Sequence, residues 1–143
     1  MNGFNADFFY GAKVGINFWF VSLICSSIVS KKLASGSQII ELDVKYGEGA
    51  FMKSKKDAKA LATLMQQVGR KLGRVIKVVI SDMNQPLGNA VGNSLEVIES
   101  IETLKGNGPK DLTNLCLHIA AEFLLEAKRF DSYNLAYKYA SDV

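Results

Sequence analysis

The chain has 143 residues, 48% hydrophobic and 22% charged, a balance that fits one folded domain and excludes a disordered or fibrous polypeptide. Its net charge of +3 comes from 17 basic and 14 acidic residues spread along the sequence. The basic groups gather only in short clusters (Lys31-Lys32, Lys53 to Lys56, Arg70 to Arg74), which reads as solvated helix faces and not as a nucleic-acid footprint.

In chain order, the first marked feature is the apolar run Val14 to Val29, which contains Phe18, Trp19 and Phe20 and is interrupted by Asn17, Ser22, Ser26 and Ser27. It is shorter than the roughly 20 residues that span a bilayer. The start Met1-Asn2-Gly3 with Asp7 lacks the basic opening of a signal peptide. A buried helix is expected, with a membrane segment as the competing reading. Cys25 and Cys116 have neither metal-ligand spacing nor the density of a disulfide scaffold, which implies a reduced, cytoplasmic setting.

After the turn-like Ser35-Gly36-Ser37, the β-branched run Gln38 to Val44 predicts a strand, and Lys45 to Lys53, with Gly47 and Gly49, a loop. Ser54 followed by Asp57 is a capping box, opening a helix whose Leu61, Met65, Val68 and Leu72 fall on one face. Gly73 can end that helix, and Val75 to Ile80 predicts a second strand covered on both faces. Such a strand–helix–strand unit closes as a parallel crossover. The polar loop Ser81 to Gly88 then sits at the carboxyl end of the sheet, where ligands bind in open parallel sheets. Ser94 to Lys105 predicts a helix burying Leu95, Ile98, Ile101 and Leu104; Asp111 is expected to cap a helix running to Ala127, and a last helix covers Ser132 to Ala140. The expected fold class is α/β: part of a parallel or mixed sheet covered by helices.

Few residues signal chemistry by spacing alone. Gly47-Glu48-Gly49 resembles the start of a dinucleotide fingerprint, but Met52 stands where the third glycine belongs. His118, the sole histidine, aligns with Asn114 and Glu122 on a polar face, so no nucleophile–base pair or zinc site can be assembled. No catalytic residue is therefore assigned. Asp43 and Asp82 end strands and read equally well as loop-holding groups. Ser27 and Lys31, four apart on a helix, could hold a carbonyl and a ring nitrogen of a small polar ligand, or Lys31 could simply be solvated near a helix end.

Longer motifs carry more information. Ser27-Ile28-Val29-Ser30-Lys31-Lys32-Leu33-Ala34-Ser35-Gly36 is followed by Leu42-Asp43-Val44-Lys45-Tyr46-Gly47-Glu48-Gly49-Ala50-Phe51-Met52 and Ile80-Ser81-Asp82-Met83-Asn84-Gln85-Pro86-Leu87-Gly88. Gly92-Asn93, Glu96, Thr103 to Gly106 and Gly108 to Leu112 continue the register. Together these resemble the pyrimidine-nucleoside (thymidine) phosphorylases over about Ser22 to Leu125. The related anthranilate phosphoribosyltransferases fit these loops less well.

The resemblance implies phosphorolysis of thymidine or uridine to free base and sugar 1-phosphate, in a homodimer whose small all-helical domain closes on an α/β domain. Its partners would be a pyrimidine nucleoside and phosphate, with no nucleic acid and no membrane. It implies that Ser27 and Lys31 contact the pyrimidine, where a fixed cation stabilises charge growing on the departing base, and that Phe51 packs near the ring. It also implies no organic cofactor but a potassium ion, held by the carbonyls of Leu87 and Ala90 and the carboxylate of Glu99. The implied domains are an unmatched segment 1–21, a base-binding helix 22–36 of the helical domain, and a partial α/β domain 37–143.

The sequence also departs from the family. Its glycine-rich phosphate loop lies upstream of anything matched here, and the end of its α/β domain is missing. A base-contacting arginine is replaced by Ala12, with Lys13 beside it. The abrupt loss of similarity before Ser22 is the pattern a truncated copy or a shifted reading frame would give. A weakly active or inactive phosphorylase, a non-catalytic remnant or interaction protein, and a small membrane-associated protein all stay open on sequence.

Overall fold

The computed structural model describes residues 15–143, and side chains from Phe20 onward. The expectations for Ala12, Lys13, Phe18 and Trp19 lie outside the described side chains. The elements are α1 (Gly15–Ala34), β1 (Ile39–Tyr46), α2 (Lys55–Lys71), β2 (Val75–Asp82), α3 (Asn93–Leu104), α4 (Lys110–Glu126) and α5 (Tyr133–Asp142). The fold is α/β, as expected. Among the described residues the sheet has two strands, β1 and β2, paired in parallel from Ile39 opposite Val75 to Tyr46 opposite Asp82.

Side chains alternate across a strand, so the even-numbered positions of β1 and β2 share one face. Ile40, Val44 and Ile76 on that face are buried against Cys25 and Val29 of α1 and Ala58, Leu61 and Met65 of α2, with Met52 closing the end. The apolar run that begins the chain is thus a helix seated in the same core as the sheet, and no helix among the described residues is long and apolar enough to cross a membrane. The odd-numbered face receives α4, on which α5 packs in turn; Ala121 and Ala136 are fully buried.

The capping box forms: the Ser54 hydroxyl accepts from the Asp57 amide at 3.1 Å and donates to the Asp57 carboxylate at 2.7 Å. Other expectations need correction. β1 runs two residues further than predicted, because Lys45 and Tyr46 pair with Ser81 and Asp82 and so stay in the ladder. On α2, Gly69 is buried and Leu72 is 51% exposed. Gly69 lets the helix approach Ile76 so closely that an added Cβ would lie 2.6 Å from that side chain. The helix then ends where Gly73 takes a positive φ of 67°.

Two expectations about the second half also fail. α3 buries none of its residues: Leu95, Ile98, Ile101 and Leu104 are 58%, 58%, 47% and 87% exposed, since no described helix or strand packs substantially on that face. Asp111 is not the cap of α4. The cap position is Pro109, and Asp111 in the first turn instead accepts the Gly88 amide at 3.0 Å, which lowers its pKa below the ordinary carboxylate value.

Candidate functional site

The parallel ladder brings the loops after β1 and β2 to one end of the sheet, and their backbones lock together. Met83 N donates to Tyr46 O at 2.7 Å, Gly49 N to Met83 O at 2.9 Å, and Gly47 N to Met52 O at 2.9 Å. The Asn84 side-chain oxygen accepts from Glu48 N at 3.1 Å. Gly47 is required here twice over: its φ is +121°, and a Cβ would lie 2.7 Å from Asn84 Oδ1.

Against these loops lies a cavity of about 550 Å³, walled by Ile24 and Ile28 of α1, Asp43 and Lys45 of β1, Met83, and the Glu48 to Lys53 segment, which includes Phe51. The walls are mainly apolar, with a few charged groups, as in small-molecule sites. Phe51 is 81% exposed at the edge of this cavity, a planar apolar surface available to a ligand.

Three polar side chains meet near the same end of the sheet, on the odd-numbered face opposite the one that packs on α1. Asp43 and Lys45 project from the same face of β1, and Ser81 stands directly opposite Lys45 on β2. Lys45 Nζ donates to Asp43 Oδ2 at 2.7 Å and to Ser81 Oγ at 3.1 Å, while Ser81 Oγ donates to Asp43 Oδ1 at 2.5 Å. Spacing alone did not single out Lys45, because the sequence placed it in a loop; its alternation with Asp43 was the available signal. Lys53 is held at the rim, donating to Glu48 O at 2.9 Å.

Ser27 and Lys31 are exposed on α1, and neither lines this cavity. Lys31 is seven residues beyond Ile24, which puts it within about 20° of Ile24 around the helix and about 10 Å further along the axis. Helical side chains lean toward the N-terminus, so Lys31 leans toward the turn of Ser27 and Ile28, whose Ile28 side chain forms the cavity wall.

Leu87, Ala90 and Glu99 come together at a second, adjoining cavity of about 500 Å³. Glu99 Oε1 accepts from Asn89 N at 2.9 Å and Ala90 N at 3.1 Å, so the carboxylate already organises the loop. Glu99 Oε2 has no hydrogen-bond partner among the described residues and abuts Gly88, where a Cβ would collide with it. Two carbonyl-bearing residues and a carboxylate oxygen suit a hard cation, so these residues fit the implied potassium ion as part of its shell. No cluster of three or more metal-ligating side chains occurs among the described residues.

On the far side of the sheet, His118 Nδ1 pairs with the Tyr133 hydroxyl at 2.8 Å. Beside it Glu41, on β1, has both carboxylate oxygens shielded from solvent and without a partner. Burial first, then the neighbouring Glu122, pushes its pKa from 4.5 to about 7. This group was not foreseen from sequence, where a lone glutamate in a strand has no signature.

Comparisons with known proteins agree with this architecture. Residues 21–143 match the glycosyl transferase family, a/b domain. The pyrimidine-nucleoside phosphorylase of Staphylococcus epidermidis (strain ATCC 12228 / FDA PCI 1200) is 53% identical over 116 residues, covering 81% of this chain and 27% of the relative. That of Staphylococcus aureus (strain USA300) is 53% identical over 112 residues, covering 78% of this chain and 26% of the relative. The chain therefore spans about a quarter of the length of these curated relatives. The match of residues 21–143, with the parallel β1–α2–β2 unit inside it, places this chain in the glycosyl transferase family, in its a/b domain.

Proposed function

We propose that these residues form the pyrimidine-side part of a nucleoside phosphorylase, a pentosyltransferase that cleaves thymidine or uridine with phosphate. The supporting observation is the cavity at the carboxyl ends of β1 and β2, where Phe51 offers a ring surface and the α1 face carrying Ile24 and Ile28 continues to Lys31. In this reading the base stacks near Phe51, Ser27 hydrogen-bonds the ring, and Lys31 donates to a carbonyl oxygen. As the glycosidic bond breaks, negative charge grows on the base, and a fixed ammonium stabilises that state more than the bound nucleoside.

Leu87, Ala90 and Glu99 would hold potassium, which when bound supplies positive charge that ties the Leu87–Ala90 loop to α3. The protein's own residues already make that tie through Glu99 and the loop amides. The cytoplasm and a homodimeric whole protein belong to the same reading.

The second substrate sets the test. Phosphate needs unpaired cations; Lys45 is neutralised by Asp43, which leaves Lys53, bonded to the Glu48 backbone carbonyl, as the cation at the cavity rim without a carboxylate partner among the described residues. The 143-residue polypeptide, assayed alone with thymidine and excess phosphate, is expected to bind pyrimidine but release thymine far below an ordinary enzymic rate. Loss of uracil binding in Lys31→Met supports the base assignment; unchanged binding sinks it. Turnover at a normal rate would overturn the division of labour proposed here. A non-catalytic interaction protein is the second reading, favoured by the uncovered apolar face of α3.

A further inference from the structure

We infer that Asn84 is a positioning residue for the cavity: its side-chain amide holds the turn of residues 47–52, and with it Phe51 and Lys53, where a base would meet them. The use of that place for a pyrimidine rests on the nucleoside reading above. Phe51 is 81% exposed, so few atoms touch its ring, and the ring goes where the backbone of its turn puts it. The turn closes on itself through Gly47 N to Met52 O at 2.9 Å and Ala50 N to Gly47 O at 3.0 Å. It is fastened to the loop after β2 at two points. Gly49 N donates to Met83 O at 2.9 Å, a backbone bond open to any residue at position 83. Glu48 N donates to Asn84 Oδ1 at 3.1 Å, which needs this side chain. Lys53 depends on the same fastening, because its Nζ donates to Glu48 O at 2.9 Å.

The orientation of Asn84 is itself fixed. Asp82 Oδ1 accepts from Asn84 N and from Asn84 Nδ2, each at 2.7 Å, and Asp82 Oδ2 accepts from the Tyr46 hydroxyl at 3.3 Å. A carboxylate takes only donors, so the Nδ2 side of the amide faces Asp82 and the Oδ1 side faces Glu48. If Asn84 merely ended β2, its backbone amide on Asp82 would suffice, as in an ordinary Asx turn, and its side chain would be free to vary. Here the side chain links Asp82 to Glu48, and it lies so close to Gly47 that a Cβ there would meet Asn84 Oδ1 at 2.7 Å. A turn ordered before the ligand arrives spares the entropy of ordering it on binding. Asn84 does not line the cavity, so it acts on affinity through Phe51 and Lys53, which do.

The test uses the 143-residue chain. In the free protein, Asn84→Ala should speed hydrogen exchange about fivefold at the Glu48 amide and also at Gly49, whose own acceptor is untouched, with Val44 and the α2 amides unchanged. Uracil titration of the same variant should show about fivefold weaker binding and a weaker cross-peak between uracil H6 and the Phe51 ring. Asn84→Asp keeps the acceptor for Glu48 but faces Asp82 with a second carboxylate, and should weaken uracil by a similar factor. Adding Asp82→Asn returns a donor to the pair and should bring affinity back to within about twofold of wild type. This pair of variants carries the test if Asn84→Ala does not fold. Unchanged exchange at Gly49, unchanged uracil affinity, or a double variant no better than Asn84→Asp overturns the positioning role. A wild type that binds no uracil sinks the nucleoside reading, while exchange at Glu48 and Gly49 still decides whether Asn84 holds the turn.

Discussion

Glu41 makes the stability of this fold depend on pH in a direction opposite to that of most paired carboxylates. Its folded pKa of about 7 lies above its ordinary value of 4.5, because burial and Glu122 disfavour the charged form while Lys77 only partly compensates, being drawn to Glu126 at 3.1 Å. The folded state thus holds a proton that the unfolded chain releases, and stability falls as pH rises from about 4.5 through about 7. Urea midpoints should be higher at pH 5 than at pH 8. Glu41→Gln should raise the pH 8 midpoint and flatten the difference; an unchanged pH dependence in the variant would remove Glu41 as its source. Gly69 offers a second residue-scale case, in which two effects oppose each other. Alanine would gain up to about 1 kcal/mol in helix propensity, but its Cβ would lie 2.6 Å from Ile76 Cγ1 and 2.8 Å from Cδ1 in the core. Overpacking of that kind costs about 1–3 kcal/mol, so Gly69→Ala should lower the thermal midpoint, and a raised midpoint would show that Ile76 can move aside.

At the scale of elements, α3 is unusual because its apolar side is finished in sequence but unpartnered in space. Ile98 is 58% exposed, and exposed substitutions away from special features change stability by less than about 0.5 kcal/mol. Ile98→Lys should therefore leave the urea midpoint unchanged while reducing dye binding and self-association; a clear loss of stability would mean that the face is covered in solution. The same helix shows what sequence could and could not reveal. Periodicity located α3 to within a residue at each end, because it reflects local spacing. It could not say whether Leu95, Ile98 and Ile101 had anything to bury against, which depends on the surrounding chain. The β1–α2–β2 unit was legible for a similar reason: Ser54, Gly73 and the β-branched runs act locally, and parallel pairing follows from the crossover. Lys45 was misread as loop because the nearby glycines outweighed its place opposite Ser81, a relation that exists only once the strands pair. The loop around Gly47 was visible as a loop, whereas its contact with Asn84 was not. Ser27 and Lys31 were found as a pair, but their offset from the cavity comes from how α1 lies on the sheet.

Across the whole molecule, protection should be uneven, and the unevenness is predictable from what packs on what. α1, β1, α2 and β2 share one core with Met65 and Ala58 fully buried at its centre. α4 covers the other sheet face and carries α5, whereas the α3 side chains bond to the loops flanking the helix, Glu99 to the Asn89 and Ala90 amides, Glu96 to the Gly92 amide and Glu102 to Asn107. A parallel pair of strands has no stability of its own and depends on helices covering its faces. Opening the core thus requires losing α2 and both strands together, while α3 can open alone at little cost. Native-state hydrogen exchange should accordingly find the slowest amides in β1, β2 and α2, slower ones in α4 than in α5, and the fastest helical amides in α3. Protection of α3 equal to that of α2 would contradict this ordering. If it rose with protein concentration, the apolar face of α3 would have found a second copy of the chain; if it did not, packing within one chain would have to cover residues that are open here.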